Sequence, residues 1–244
     1  MKTFSITDIG KKRNMNQDFI FSSEKPVGNL PNLFIVADGM GGHKAGDYAS
    51  MCAVNTIIEN IEQSKEKDPK KLLDEAIHEA NKAVILKSKE DEAYAGMGTT
   101  VVACSVFGGE MLVANVGDSR LYVINKEITQ ITNDHSLVEE MVRRGEVDRV
   151  LAREHPDKHI ITRAVGVSSS LEVDFFNVKL KKKDNILLCS DGLTNMIEDR
   201  EIRQVVLAQR DVAEKAEKLI ETANLNGGND NISVIVIDPY ADEV

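Results

Sequence analysis

The sequence predicts an α+β fold in which two mostly antiparallel β-sheets pack together with helix pairs outside them. Three observations point there. Short β-branched segments cluster in the middle of the chain while segments of helical spacing bracket them, unlike the regular strand–helix alternation of a doubly wound parallel sheet. No Gly-, Ser- or Pro-rich linker divides the 244 residues and no internal repeat appears, so residues 1–240 read as one domain and 241–244 as a short tail. Helix pairs outside two packed sheets would also bury both sheet faces and the apolar stripe of each helix.

The elements follow in order. Residues 3–9 (TFSITDI) alternate and meet Gly10, a strand and turn; a second short strand covers 19–22, after the polar stretch KKRNMNQD. Residues 33–37 (LFIVA) are continuously apolar, as a central strand is. Helices are predicted over 45–63, from the spacing of Ala45, Ala49, Cys52, Ala53, Ile57 and Ile61, and over 69–87, from Leu72, Leu73, Ala76, Ile77, Ala80 and Val84 with Pro69 in the first turn. TTVVACSVF, MLVANVG, RLYVI and EITQI are short strands, with hairpin turns at Gly108-Gly109 and Asn125-Lys126. Ser136, with Glu139 three residues on, has the pattern of a capping box opening a short helix to Arg144. Residues 145–170 are polar and aperiodic. Strands at 173–180 and 186–190, helices at 200–208 and 211–224, and a last strand at 232–237 complete the chain.

Composition narrows the function. With 42% hydrophobic and 29% charged residues and only 5 Pro, the chain is not disordered by composition. No run approaches the 18 or more apolar residues of a membrane span, and the N-terminus lacks the apolar stretch and cleavage site of a signal peptide, so a cytoplasmic protein is expected. A net charge of −10 argues against nucleic acid, and the basic run Lys179–Lys183 reads as a solvated hairpin rim. Cys52, Cys104 and Cys189 are odd in number and widely spaced, which fits small buried side chains rather than disulfides or a thiolate zinc site.

Four aspartates carry the chemistry. Asp38, Asp118 and Asp191 follow the apolar runs LFIVA, MLVANVG and NILLCS, and Asp230 stands before the strand NISVIVI, each in a Gly- or Asn-rich turn. Carboxylates brought together without basic partners repel each other, and a hard divalent cation removes that penalty. Asp38, followed by Gly39-Met40-Gly41-Gly42, can bridge two ions with the Gly39 carbonyl as a neutral ligand; a tight turn with Asp38 capping the next helix fits that segment equally. The glycine run lacks the Lys-Ser/Thr of a phosphate-cradling loop. Arg13 is the candidate anion partner, its guanidinium fork matching two phosphate oxygens. Asp18 would hold a metal-bound water or orient Arg13, and His43 would support the metal centre or donate a proton. His78, His135, His155 and His159 are weaker signals, and no pair has the HExxH spacing of a zinc hydrolase. No Cys is followed six residues on by Arg, so if phosphate esters are cleaved the nucleophile is water or hydroxide.

Together these segments resemble the compact bacterial form of the PP2C family of metal-dependent serine/threonine protein phosphatases. The likeness runs through GKKRNMNQD (10–18), VADGMGGH (36–43), GMGTT (96–100), NVGDSRLY (115–122), DHSLVEEMVRRGE (134–146), ITRAVG (161–166), CSDGLTN (189–195) and GGNDNISV (227–234), essentially the whole chain in order. The resemblance implies a four-layer α-β-β-α sandwich and two Mn²⁺ or Mg²⁺ ions bridged by Asp38, with the Gly39 carbonyl on one and Asp191 and Asp230 on the other. It further implies Asp118 at a third metal position, Arg13 on the substrate phosphate, and a flap near 145–165 that influences substrate choice. Phosphorylated Ser/Thr proteins would be the substrates and a cognate Ser/Thr kinase the opposing enzyme; with no coiled-coil or dimer signature in the sequence, a monomer is expected. Two positions depart from the family: Gln17 where many relatives have Glu, and Met40 where eukaryotic members have a proton-donating His. The competing readings are a two-metal phosphatase of small phosphorylated metabolites and a catalytically silent phosphoprotein binder; retention of Asp38, Asp191 and Asp230 speaks against the second.

Overall fold

The computed structural model describes residues 1–42 and 45–241. Its strands are β1 (Lys2–Asp8), β2 (Asp18–Ser23), β3 (Leu33–Met40), β4 (Gly98–Thr99), β5 (Val101–Phe107), β6 (Glu110–Val116), β7 (Arg120–Ile124), β8 (Ile128–Gln130), β9 (Asp174–Lys179), β10 (Asn185–Cys189) and β11 (Ile232–Asp238). Its helices are α1 (Ala45–Gln63), α2 (Pro69–Glu90), α3 (Leu137–Arg143), α4 (Arg149–Ala152), α5 (Asp191–Thr194), α6 (Asp199–Ala208) and α7 (Val212–Leu225). One sheet has the order β1-β11-β10-β7-β8 and the other β2-β3-β5-β6-β9, with β4 attached to β3. The pairings within them are antiparallel.

The layers follow from the two-residue period of a strand, which sends alternate side chains to opposite faces. In β3, Leu33, Ile35 and Ala37 pack with Ala49, Ala53, Ile57 and Ile61 of α1 and Leu73, Ile77 and Val84 of α2. Phe34 and Val36 point the other way and meet Leu121, Ile186, Leu188, Ile235 and Ile237 of the second sheet. That sheet turns Leu187, Cys189, Val234 and Val236 outward onto Ile202 and Val206 of α6 and Ala216, Leu219 and Ala223 of α7. Both central strands are therefore apolar on both faces, and the expected two sheets between helix pairs are observed. No described helix is long and apolar enough to cross a membrane.

Several local expectations shift. β3 does not end before Asp38 but runs through it to Met40, because the ladder still finds partners. The Thr100 N–H donates to the Asp38 carbonyl at 2.9 Å and the Gly39 N–H to the Gln17 carbonyl at 3.1 Å. Only half of the capping box forms. Ser136 Oγ accepts from the Glu139 N–H at 3.3 Å, but the Glu139 carboxylate takes Arg149 at 2.7 and 3.1 Å instead of reaching back. The polar segment 145–170 holds α4, opened by Asp148, whose Oδ1 accepts from the Val150 N–H at 2.8 Å. Cys104 and Cys189 are buried and their thiols pushed up by loss of hydration, as inert core residues should be, while Cys52 is half-buried.

Candidate functional site

A cavity of about 490 Å³ opens where the ends of the two sheets meet. β3 delivers Asp38 and Gly39 from one sheet. The turn between β6 and β7, where the chain passes from one sheet to the other, delivers Asp118. In the second sheet β10 ends one residue before Ser190-Asp191, and Asp230 stands just ahead of β11. Asp38, Gly39, Asp118, Asp191 and Asp230 all line this one cavity, with Arg13 at its exposed rim. Four carboxylates distant in sequence thus face a common space. His43 lies outside the described residues.

Close backbone contact builds the floor. A Cβ at Gly39 would sit 2.0 Å from the Gly46 carbonyl oxygen, and one at Gly192 1.9 Å from the Asn231 carbonyl oxygen, so only glycine lets the end of β3 pack against the start of α1 and the start of α5 against the residue before β11. Asp18, expected to hold a metal-bound water or orient Arg13, lies directly across from Asp38 in the β2–β3 register and is buried, while Arg13 pairs with Asp230 instead. Like charges placed opposite each other destabilise a sheet, and the polar surroundings of Asp18 only partly compensate. Ser190 Oγ donates to Asp18 Oδ2 at 2.7 Å, while Oδ1 has no partner.

The electrostatics follow from that crowding. Burial pushes the Asp18 carboxyl up to about 7, against hydrogen bonds from Ser233 and Ser190. Burial, then the charges of Asp18, Asp191, Asp118 and Asp230, holds Asp38 well above the carboxylate range. Asp118 is raised by burial and by Asp191, with Arg120 opposing; Asp191 is raised by burial and by Asp230. Oδ1 of both Asp118 and Asp191 is buried without a hydrogen-bond partner. Burying a carboxylate without a partner is costly. Hard oxygen donors with unused lone pairs are the chemistry that Mg²⁺ or Mn²⁺ takes, and in that respect the residues fit a divalent cation. The carboxylates nevertheless stand around the cavity rather than closing into a cage: among the described residues no group of three or more His, Cys, Asp or Glu is drawn together to hold a metal ion.

Arg13 meets protein first. Its Nη2 donates to Asp230 Oδ2 at 2.7 Å, and that hydrogen bond raises the guanidinium further. The loop that carries it is fastened by buried Asn231, whose Oδ1 accepts from the Gln17 N–H at 2.8 Å and whose Nδ2 donates to the carbonyls of Ile9 at 3.0 Å and Met15 at 2.9 Å. Gln17 and Met40 both line the cavity. Behind Asp118 and Asp191, Arg120 grips Asp134 through Nε and Nη2 at 2.6–3.0 Å and donates to Tyr122 Oη at 2.9 Å.

Lys158, His159 and Ile161 of the segment 145–165 line the cavity. The segment's C-terminal end is pinned by the Leu137 N–H to the Ile160 carbonyl at 2.9 Å and the Thr162 N–H to the His135 carbonyl at 2.8 Å. Of these lining residues, Lys158 carries no role in the sequence reading and His159 only a weak one. Nothing in their local spacing marks them; the segment folding over the carboxylates brings them there. Ser190, which donates to Asp18, carries no role in the sequence reading either, and its place beside Asp191 is the local signal that marks it. His135 is buried and accepts the Gly117 N–H on Nδ1 at 3.0 Å, a structural role.

Known proteins are similar to this chain over almost its whole length. The family model described as protein phosphatase 2C matches residues 10–233. The chain is 41% identical over 239 residues to the serine/threonine phosphatase stp of Listeria monocytogenes serotype 4b (strain F2365), covering 95% of this chain and 93% of that one. The crystal structure of the serine/threonine phosphatase Stp1 from Staphylococcus aureus superposes with a TM-score of 0.90 at 34% identity, covering 96% of this chain and 93% of that one. The catalytic domain of the serine/threonine protein phosphatase PstP, solved in complex with two manganese ions, superposes at 0.84 with 31% identity and 96% coverage of both chains.

Proposed function

The chain belongs to the protein phosphatase 2C family and is a protein phosphatase, and on that premise we propose that it hydrolyses phosphoserine and phosphothreonine in proteins with water as the nucleophile. The observation that carries this reading is the convergence of Asp38, Asp118, Asp191 and Asp230 on one cavity with an arginine at its rim. The manganese-bound relative supports a divalent cofactor. In our assignment, Asp38, the Gly39 carbonyl, Asp191 and Asp230 hold two Mn²⁺ or Mg²⁺ ions, and Asp118 contributes to a third. When bound, such ions supply Lewis acidity, lowering the pKa of water and neutralising phosphate oxygens.

The chain's own groups do the rest. Arg13 uses one donor on Asp230, leaving the remainder of its fork for two oxygens of the substrate phosphate. That pairing orients the guanidinium over the carboxylates, where charge builds as the phosphoryl group transfers. Asp18, held by Ser190, faces Asp38 from the neighbouring strand, where it would hold a water beside the site. Met40 on the cavity wall has no proton to give, so the leaving serine or threonine oxygen takes its proton from water, with His43 as the side-chain alternative. We take the chain to act as a monomer on cytoplasmic phosphoproteins, opposing a serine/threonine kinase.

Turnover of a phosphopeptide and of a small aryl phosphate by the wild type and by Asp38→Ala tests the assignment. Near-complete loss on both substrates is expected in the variant, and unchanged turnover would refute it. Wild-type activity on the aryl phosphate with none on phosphopeptides would move the reading to small phosphorylated metabolites.

A further inference from the structure

Between the strand that carries Asp38 and the turn that carries Asp118 lies one buried residue that touches both. Thr100 is 1% exposed and Ser119 fully buried. Thr100 Oγ1 accepts the backbone N–H of Asp38 at 2.9 Å and lies 2.7 Å from Ser119 Oγ, in the turn that presents Asp118. Its backbone N–H donates to the Asp38 carbonyl at 2.9 Å, and Thr99 Oγ1 donates to that same carbonyl at 2.9 Å. Its methyl side forms the seat of the Asp118 turn: a Cβ at Gly117, whose φ is +107°, would lie 2.6 Å from Thr100 Cβ and Cγ2. The Asp38 backbone and the Asp118 turn are thus spaced by a single side chain.

We propose that Thr100 is a positioning residue that fixes the separation of Asp38 and Asp118, and so the affinity of the cavity for divalent cations; this rests on the metal-dependent reading of the site. The physical reason is that Asp38 and Asp118 repel each other across the cavity, so each needs a rigid backbone to stay aimed at a shared ion. A hydroxyl can hold both at once, accepting from Asp38 while exchanging a hydrogen bond with Ser119. A methyl in its place leaves the Asp38 N–H unpaired and the Ser119 hydroxyl without its partner, while preserving the shape that seats Gly117. Groups that orient metal ligands from behind commonly change affinity by about 10- to 100-fold when removed.

The test is titration calorimetry of Mn²⁺ into chelator-stripped protein, with melting curves of each variant. Thr100→Val is expected to bind Mn²⁺ at least about tenfold more weakly than wild type, while Thr100→Ser, which keeps the hydroxyl, restores wild-type affinity. Mn²⁺ for half-maximal phosphopeptide turnover should move in parallel. If the wild type binds no Mn²⁺, the metal-dependent reading of the site fails. If the wild type binds and folded Thr100→Val binds equally well, or if Thr100→Ser is as weak as Thr100→Val, the positioning role is overturned. Should Thr100→Val not fold, Ser119→Ala carries the test: weakened Mn²⁺ binding supports the proposal and wild-type binding overturns it.

Discussion

Asp18→Asn should stabilise the chelated protein, although it replaces a buried residue beside the catalytic cavity. Asp18 faces Asp38 across paired strands, and burial pushes its carboxyl from the ordinary 3.8 up to about 7. A carboxyl raised in the folded state keeps a proton there that the unfolded chain gives up, so its contribution to stability is complete below 3.8 and lost as pH rises through about 7. At about 1.4 kcal/mol per pH unit, the full loss is about 4 kcal/mol by pH 8, and under about 2 kcal/mol has gone at pH 5. Asn is neutral throughout and its carbonyl oxygen can still accept from Ser190. Without metal, the variant should therefore exceed the wild type by about 4 kcal/mol at pH 8, a melting difference of about 10 °C for a chain of this size. That margin should shrink by more than half at pH 5. Calorimetric melting in excess chelator at both pH values provides the measurement. A variant that melts below the wild type at pH 8, or by the same margin at both pH values, would refute the claim that like-charge burial strains this site. Saturating Mn²⁺ should narrow the margin, since a cation compensates the charge that Asn removes.

The remaining expectations follow from the same geometry. Chelation should abolish phosphopeptide turnover and Mn²⁺ restore it; activity that survives thorough metal removal would contradict the carboxylate reading. Asn231→Ala strips partners from the Gln17 N–H and from the Ile9 and Met15 carbonyls, which should cost about 2–4 kcal/mol in urea unfolding. The same variant should raise KM more than it lowers kcat, because the loop holding Arg13 loosens. Gly192→Ala places a methyl 1.9 Å from the Asn231 carbonyl oxygen, and denaturant titration should show a loss of about 3 kcal/mol or more.

Much of this protein was legible in its sequence because the pattern was local. The continuous apolar run LFIVA and the three-to-four spacing from Ala45 to Ile61 predict a central strand and the helix that covers it, and both appear within a few residues of their expected bounds. The aspartates were legible for a related reason. Three carboxylates follow an apolar run and a fourth precedes one, each in a Gly- or Asn-rich turn, and four such turns point to one meeting point. Backbone that continues a ladder was not legible: Asp38 lies inside β3, since the partners that extend the strand, Gln17 and Thr100, come from elsewhere in the chain.

What tertiary structure alone decided is which groups face each other. No spacing announces that Asp18 opposes Asp38, that Thr100 sits between Asp38 and the Asp118 turn, that Arg13 reaches Asp230, or that Lys158 and His159 line the same cavity. Residue type and periodicity act over one strand or one helical turn, so the sequence by itself determined the elements and their chemical inventory. Charge repulsion, burial and hydrogen bonding act over a few ångströms in space, and only the packing of two sheets brings residues 13, 38, 118, 191 and 230 within that range of one cavity.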